Sequence, residues 1–155
     1  VPALYGGADG VALRLDRASA AAARYAATGE LPTVPAYAPG DDRAGMPMEL
    51  DYYANSARGA IPPWRNEMTE VTWQHWLTFD GLRAAPAVQV PSLFVHSDDC
   101  VLPDNVKTVA GDLGGSAQLA WGEGAQIDFY DQPAQVKYAV DAVDTHLKAT
   151  LGGHR

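Results

Sequence analysis

The chain has 155 residues, 47% of them hydrophobic, with 11 Lys and Arg against 19 Asp and Glu for a formal charge of −8. That length is the size of one domain with a core of its own, and the negative balance repels phosphate backbones and anionic lipid, so neither nucleic acid nor membrane is an expected partner. A single cysteine, Cys100, excludes an intramolecular disulfide and any multi-cysteine metal site, and suits a reducing cytoplasm.

No run approaches the roughly 18 apolar residues of a membrane helix, and no basic-then-apolar leader opens the chain. The opening Val1 is read as the start of a cleaved product, an excised domain or a chain whose beginning is missing. Asp9 to Glu30 is rich in alanine, carries Leu13, Ala20 and Tyr25 at helical spacings and meets Gly29 where a helix would stop, so a helix is predicted there. Gly6-Gly7-Ala8-Asp9-Gly10 lacks the Lys-Ser or Lys-Thr of a nucleotide phosphate loop and reads as a turn. Leu31 to Asp42 crowds Pro32, Pro35, Pro39 and Gly40-Asp41-Asp42 together and reads as a loop. Pro47 opens a short helix over Met48 to Ala54, and Arg58 to Pro63 is irregular. Glu67 to Phe79 holds Met68, Val71, Leu77, Trp73 and Trp76, the two tryptophans three apart on one side of a predicted helix. Such a stripe is more often core than cofactor site, and it can also wall a pocket.

Near residue 85 the composition changes. Val88 to His96 is an apolar run of β-branched and aromatic residues and predicts a buried strand. Pro103 opens a helix that ends at Gly114-Gly115, and Ala117 to Trp121 makes a second strand. Pro133 begins a long helix with Val136, Val140, Val143, Leu147 and Leu151 on one face, closed by Gly152-Gly153. Strand, helix, strand, helix implies an α/β fold with parallel strands and packed helices. Two parallel strands leave their edges and a face uncovered, so the rest of the sheet is expected from an N-terminal segment, a partner chain or a second copy.

Pro91-Ser92-Leu93-Phe94-Val95-His96-Ser97-Asp98-Asp99-Cys100-Val101-Leu102-Pro103 runs from strand through turn into a proline-opened helix. It resembles the late strand of α/β-hydrolases of the dienelactone-hydrolase-like branch, in which an Asp four residues before a proline is the triad acid. The resemblance assigns that role to Asp99, with Asp98 as the nearer alternative; capping of the next turn is the bland reading of both. The family continues to a Gly-x-His turn and a long C-terminal helix, and the matching stretch here is Trp121-Gly122-Glu123-Gly124-Ala125-Gln126. Gln126 stands at the histidine position. An amide has no basic nitrogen, so ordinary triad hydrolysis is in doubt.

No G-x-S-x-G elbow is present to lift a nucleophile above a sheet. Ser116, in Gly114-Gly115-Ser116-Ala117, is a turn residue, and Cys100 reads as a small hydrophobe. Among the histidines, His96 ends a strand, His146 and His154 are solvated, and His75 is the stand-in base to consider. Tyr52-Tyr53-Ala54-Asn55, Pro62-Pro63-Trp64-Arg65-Asn66-Glu67 and Trp73-Gln74-His75-Trp76 resemble the insertion that these hydrolases place after the sixth core strand. Residues 1–85 are then a helical cap-like region and 86–155 the last core strands and helices. Trp64, Trp73, Trp76 and His75 are the candidate substrate-binding residues, gluing of the cap being the alternative for each tryptophan. The resemblance implies an esterase-like hydrolase acting on an ester, lactone or similar small acyl substrate, cytoplasmic, with its nucleophile supplied by an N-terminal segment or second chain. No cofactor and no metal are expected, since the histidines are not paired at ligand spacings. A catalytically altered fold that binds a small molecule or carries out a cyclisation is the alternative, and a purely structural domain is a third.

Overall fold

The computed structural model of the chain describes residues 2–152. They form two compact units, Val1–Phe79 and Asp80–Arg155. The division falls between Phe79 and Asp80, ahead of the composition shift near residue 85.

The first unit is built on helix α1, Gly7–Thr28. Gly6 and Gly7 both have positive φ, 81° and 70°, and turn the chain into the helix. Gly10 cannot be anything larger, because a Cβ there would stand 1.7 Å from the Tyr5 carbonyl oxygen. At the far end Gly29, with φ 74°, donates its N–H to Tyr25 O at 2.8 Å, the left-handed cap that the glycine predicted. The buried residues of α1 are Arg14, Ala18 and Ala21, one face at spacings of four and three. The small Ala18 lets Trp73 approach, and Tyr5, Ala18 and Trp73 make the core, with Met68 and Leu77 packed against it. Trp73 is 1% exposed and meets Tyr5 edge-on at 5.1 Å.

Two predictions are corrected here. The helix expected from Glu67 begins later, as α3 at Thr72–Thr78, because Met68–Thr69 is strand β2, paired antiparallel with β1 at Thr33–Val34. Cross-strand pairing has overridden a helical pattern of residues. Likewise the helix expected over Met48 to Ala54 is the single turn α2, Asp51–Ala54, since Leu50 is extended and gives its N–H to the Tyr37 hydroxyl at 3.2 Å.

The second unit opens with a 3-10 stretch, Gly81–Ala87, and continues as β3 (Ser92–Ser97), α4 (Pro103–Asp112), β4 (Ala117–Gly122), α5 (Asp128–Asp131) and α6 (Pro133–Leu151). Strands β3 and β4 run parallel in register from Ser92↔Ala117 to Ser97↔Gly122. The expected start at Val88 is too early. Pro91 has no N–H for a ladder, and the Val88 carbonyl instead accepts from Gly115 at 2.8 Å.

A larger correction concerns burial. The β3 residues Ser92 to His96 are only half-buried, and Ala117, Gln118 and Leu119 of β4 are exposed. The predicted apolar stripe of α6 faces outward too: Val140, Val143, Leu147 and Leu151 are all exposed. No other strand pairs with β3 or β4 among the described residues. A run composed for a buried strand therefore stands with one edge of each strand unpaired. Gly152 ends α6 at φ −73°, without the left-handed turn a closing glycine favours; Gly153 and His154 lie outside the described residues.

Candidate functional site

In parallel sheets ligands gather at the carboxyl ends of the strands, where loops replace the ladder. At that end of β3 the chain makes the turn Asp98–Asp99 and enters α4. The entry residue, Leu102, lies at φ 56° and ψ 53°, a left-handed conformation uncommon for a leucine. Proline at 103 disfavours the right-handed helical conformation for the residue before it, in keeping with Leu102 standing outside the helix. Held strain of this kind is concentrated at functional sites.

The two acidic residues of the turn are used differently. The Asp98 carboxylate accepts from Lys107 Nζ of α4 at 3.0 Å. Hydrogen bonds from Lys107 and then from the Trp121 side chain hold its pKa below the ordinary value of 3.8, with smaller help from the charges of Lys107 and His96. Lys107 Nζ also lies 4.8 Å over the Trp121 ring and 3.9 Å from Asp104. Asp99 is exposed and, among the described residues, its carboxylate has no hydrogen bond or ion pair. Of the two, Asp99 is the one available to orient an incoming N–H.

At the carboxyl end of β4, Gly122 to Gln126 folds into a second turn. Gly124 has φ 106°, and a Cβ on it would meet Gln135 Nε2 at 2.9 Å, so glycine is required. Its carbonyl accepts from the buried Ser97 hydroxyl at 2.5 Å. Cys100 Sγ is 3.3 Å from the same hydroxyl. With one proton to give, Ser97 spends it on the carbonyl, and Cys100 packs as a buried thiol at the base of the turn.

Gln126 joins the two turns. Its Oε1 accepts from the Val101 N–H at 3.3 Å, two residues beyond Asp99, and its Nε2 donates to the Tyr130 hydroxyl at 3.0 Å. Both ends of the amide are thereby oriented. The structure brings the Asp99 turn and Gln126 together at one end of the strand pair. His96, with Nδ1 2.8 Å from Ser97 O and its ring 5.2 Å from Trp121, packs against β4.

A cleft of about 370 Å³ lies beside this end, lined by Trp121, Gly122, Glu123, Ala134, Gln135 and Tyr138. A larger one, about 430 Å³, is lined from Leu93, Gln118, Tyr138, Asp141 and His146, with no group from either turn. Its His146 Nδ1 is 2.8 Å from Gln118 Oε1, so this histidine has a protein partner and is not simply solvated.

The remaining candidates belong to the first unit. Trp73 is in its core beneath Arg14, whose guanidinium carbon is 5.2 Å from the Trp73 ring and 4.9 Å from the Tyr5 ring. Arg14 Nη1 and Nη2 donate to Tyr5 O, Gly10 O and Asp42 O. Burial raises the Tyr5 hydroxyl pKa against the opposing charge of Arg14. Trp76 stacks on Trp73 at 5.9 Å and is 48% exposed. Trp64 packs on Tyr53 at 5.4 Å, and Tyr53 in turn meets the rings of Tyr37 and Tyr52. His75 is exposed on α3. Sequence reasoning overlooked Lys107 and Tyr130; a cation soon after the proline of α4 was the available sign of the first.

No family model matches the chain, and no curated protein matches it. Among solved structures it is similar to the one described as "The structure of DcsB complex with its substrate analogue", at 15% identity and a TM-score of 0.75. The likeness covers 94% of this chain and 53% of that one, so the chain spans about half of that chain's length. At such identity the likeness is one of fold: a mixed α/β fold, here with a parallel strand pair. No helix among the described residues is long and apolar enough to cross a membrane, and no group of three or more metal-ligating side chains occurs among them.

Proposed function

We propose that the chain is the C-terminal portion of an α/β-hydrolase-type enzyme of the dienelactone-hydrolase-like kind, acting on an ester, lactone or similar small acyl substrate. The nucleophile and oxyanion hole then come from a segment or second chain that completes the sheet. The observation that carries this reading is the Gln126 Oε1 to Val101 N–H bond, which ties together the two turns that the family resemblance singles out for acid and base. The unpaired edges of β3 and β4 and the likeness to half of a chain solved with a substrate analogue support it.

In this reading Asp99 accepts an N–H and orients its donor. Gln126 hydrogen-bonds substrate or water but takes no proton, so the proton leaving the nucleophile goes to a base that comes with the completing segment or chain.

The fixed amide favours a second reading, in which the site binds a small molecule or performs a cyclisation with Gln126 positioning the ligand. One experiment addresses both, in the assembled protein, meaning these residues with whatever completes the sheet. Asp99→Asn is expected to lower kcat on acyl esters about a thousandfold or more at an unchanged unfolding midpoint; undiminished turnover contradicts the hydrolase reading. Ester hydrolysis gained in Gln126→His supports the altered site, and an existing activity abolished by that change assigns the amide a working part.

A further inference from the structure

We infer that Lys107 is a positioning residue: by gripping Asp98 and Trp121 at once, it holds the turn that carries Asp99 against the turn that carries Gln126. The inference rests on the proposed function for what those turns do, and on geometry for how they are held.

Lys107 differs from the other lysines of the second unit. Lys137 pairs with Asp141 and Lys148 with Asp144, each four residues along the same helix, so those pairs fasten nothing beyond α6. Lys107 leaves its helix. Its ammonium reaches Asp98 in the turn after β3 at 3.0 Å and the ring of Trp121 in β4 at 4.8 Å, and so connects α4 with both strands. Asp98 draws the ammonium toward the strand ends, with Asp104 of its own helix farther off at 3.9 Å.

The consequence for the site follows along the backbone. Val101, whose N–H meets Gln126 Oε1, is three residues after Asp98 and on the same turn. Trp121, on the other side of the clamp, is paired across the ladder with His96 and leads directly into the glycine turn that ends at Gln126. The clamp therefore fixes both arms that the Gln126 bond spans. Without the ammonium the Asp98 turn loses its tie to α4 and keeps the Trp121 bond to Asp98, the Cys100 N–H to Ser97 O bond and the Gln126 bond itself, and a displacement of about an ångström at a catalytic group is enough to cost about a hundredfold in rate.

The test compares Lys107→Met, which keeps most of the unbranched stem and removes the charge, with Lys107→Arg, which keeps a cation, in the assembled protein. Hydrogen exchange followed by mass spectrometry on the peptide holding Val101 reads the clamp independently of activity. Lys107→Met is expected to speed exchange there about tenfold and to lower kcat about tenfold to a hundredfold at unchanged KM. Lys107→Arg is expected to restore most of both. Unchanged exchange at Val101 in Lys107→Met, or an Arg variant no better than Met, overturns the inference. If exchange responds as expected and the assembled protein turns over no acyl substrate, the clamp stands and the hydrolase reading falls.

Discussion

The two units solve the same problem differently. The first has a small core of its own, in which Ala18 makes room for Trp73 and Arg14 ties Tyr5, Gly10 and Asp42 together through their carbonyls. In the second, apolar residues are plentiful yet stand half in solvent: Leu119 on the strand pair, and Val140, Val143, Leu147 and Leu151 along α6. The lesson is that hydrophobic content does not by itself make a core. Burial needs surfaces on both sides, and here only one unit has them among these residues.

Paired substitutions sharpen that contrast. Trp73→Ala is expected to destabilise the first unit by about 3–5 kcal/mol, the usual cost of emptying a buried tryptophan site. In this chain alone Leu147→Ala is expected to cost less than about 0.5 kcal/mol, as for other exposed positions. In the assembled protein the same leucine is expected to cost about 2–5 kcal/mol, read in both cases from denaturant midpoints. Equal costs for Leu147 in the two forms would break the comparison.

A smaller effect is expected from Asp98. Its pKa is depressed in the folded chain, so its contribution is present above the ordinary carboxylate range and lost as pH falls through the folded value. Asp98→Asn should lower the unfolding midpoint at neutral pH and match the parent in acid well below that range. Lys107 and His96 are the charged groups that face this carboxylate.

Much of the fold was legible because glycine and proline punctuate it. Gly29 ends α1, Pro103 opens α4 and Pro133 opens α6, each through local backbone geometry that sequence alone encodes. The pair β1–β2 was not legible, since two-residue strands have no period to detect and exist only because Val34 finds Met68 across the unit. The Asp99 turn and the Gln126 turn were both read from residue order, whereas the bond between them and the reach of Lys107 to Trp121 depend on how β3 and β4 lie side by side. Trp73 and Trp76 share a stripe in the sequence, but only the proximity of α1 separates a core residue from an exposed one.

Central to the proposed function is whether β3 and β4 are part of a wider sheet. Amide hydrogen exchange over Leu93 to Val95 tests this directly, by comparing this chain alone with the assembled protein. The N–H groups on the unpaired edge of β3 are expected to exchange quickly in the first and to become strongly protected in the second. Protection already complete in the chain alone, or absent from both forms, would contradict the account.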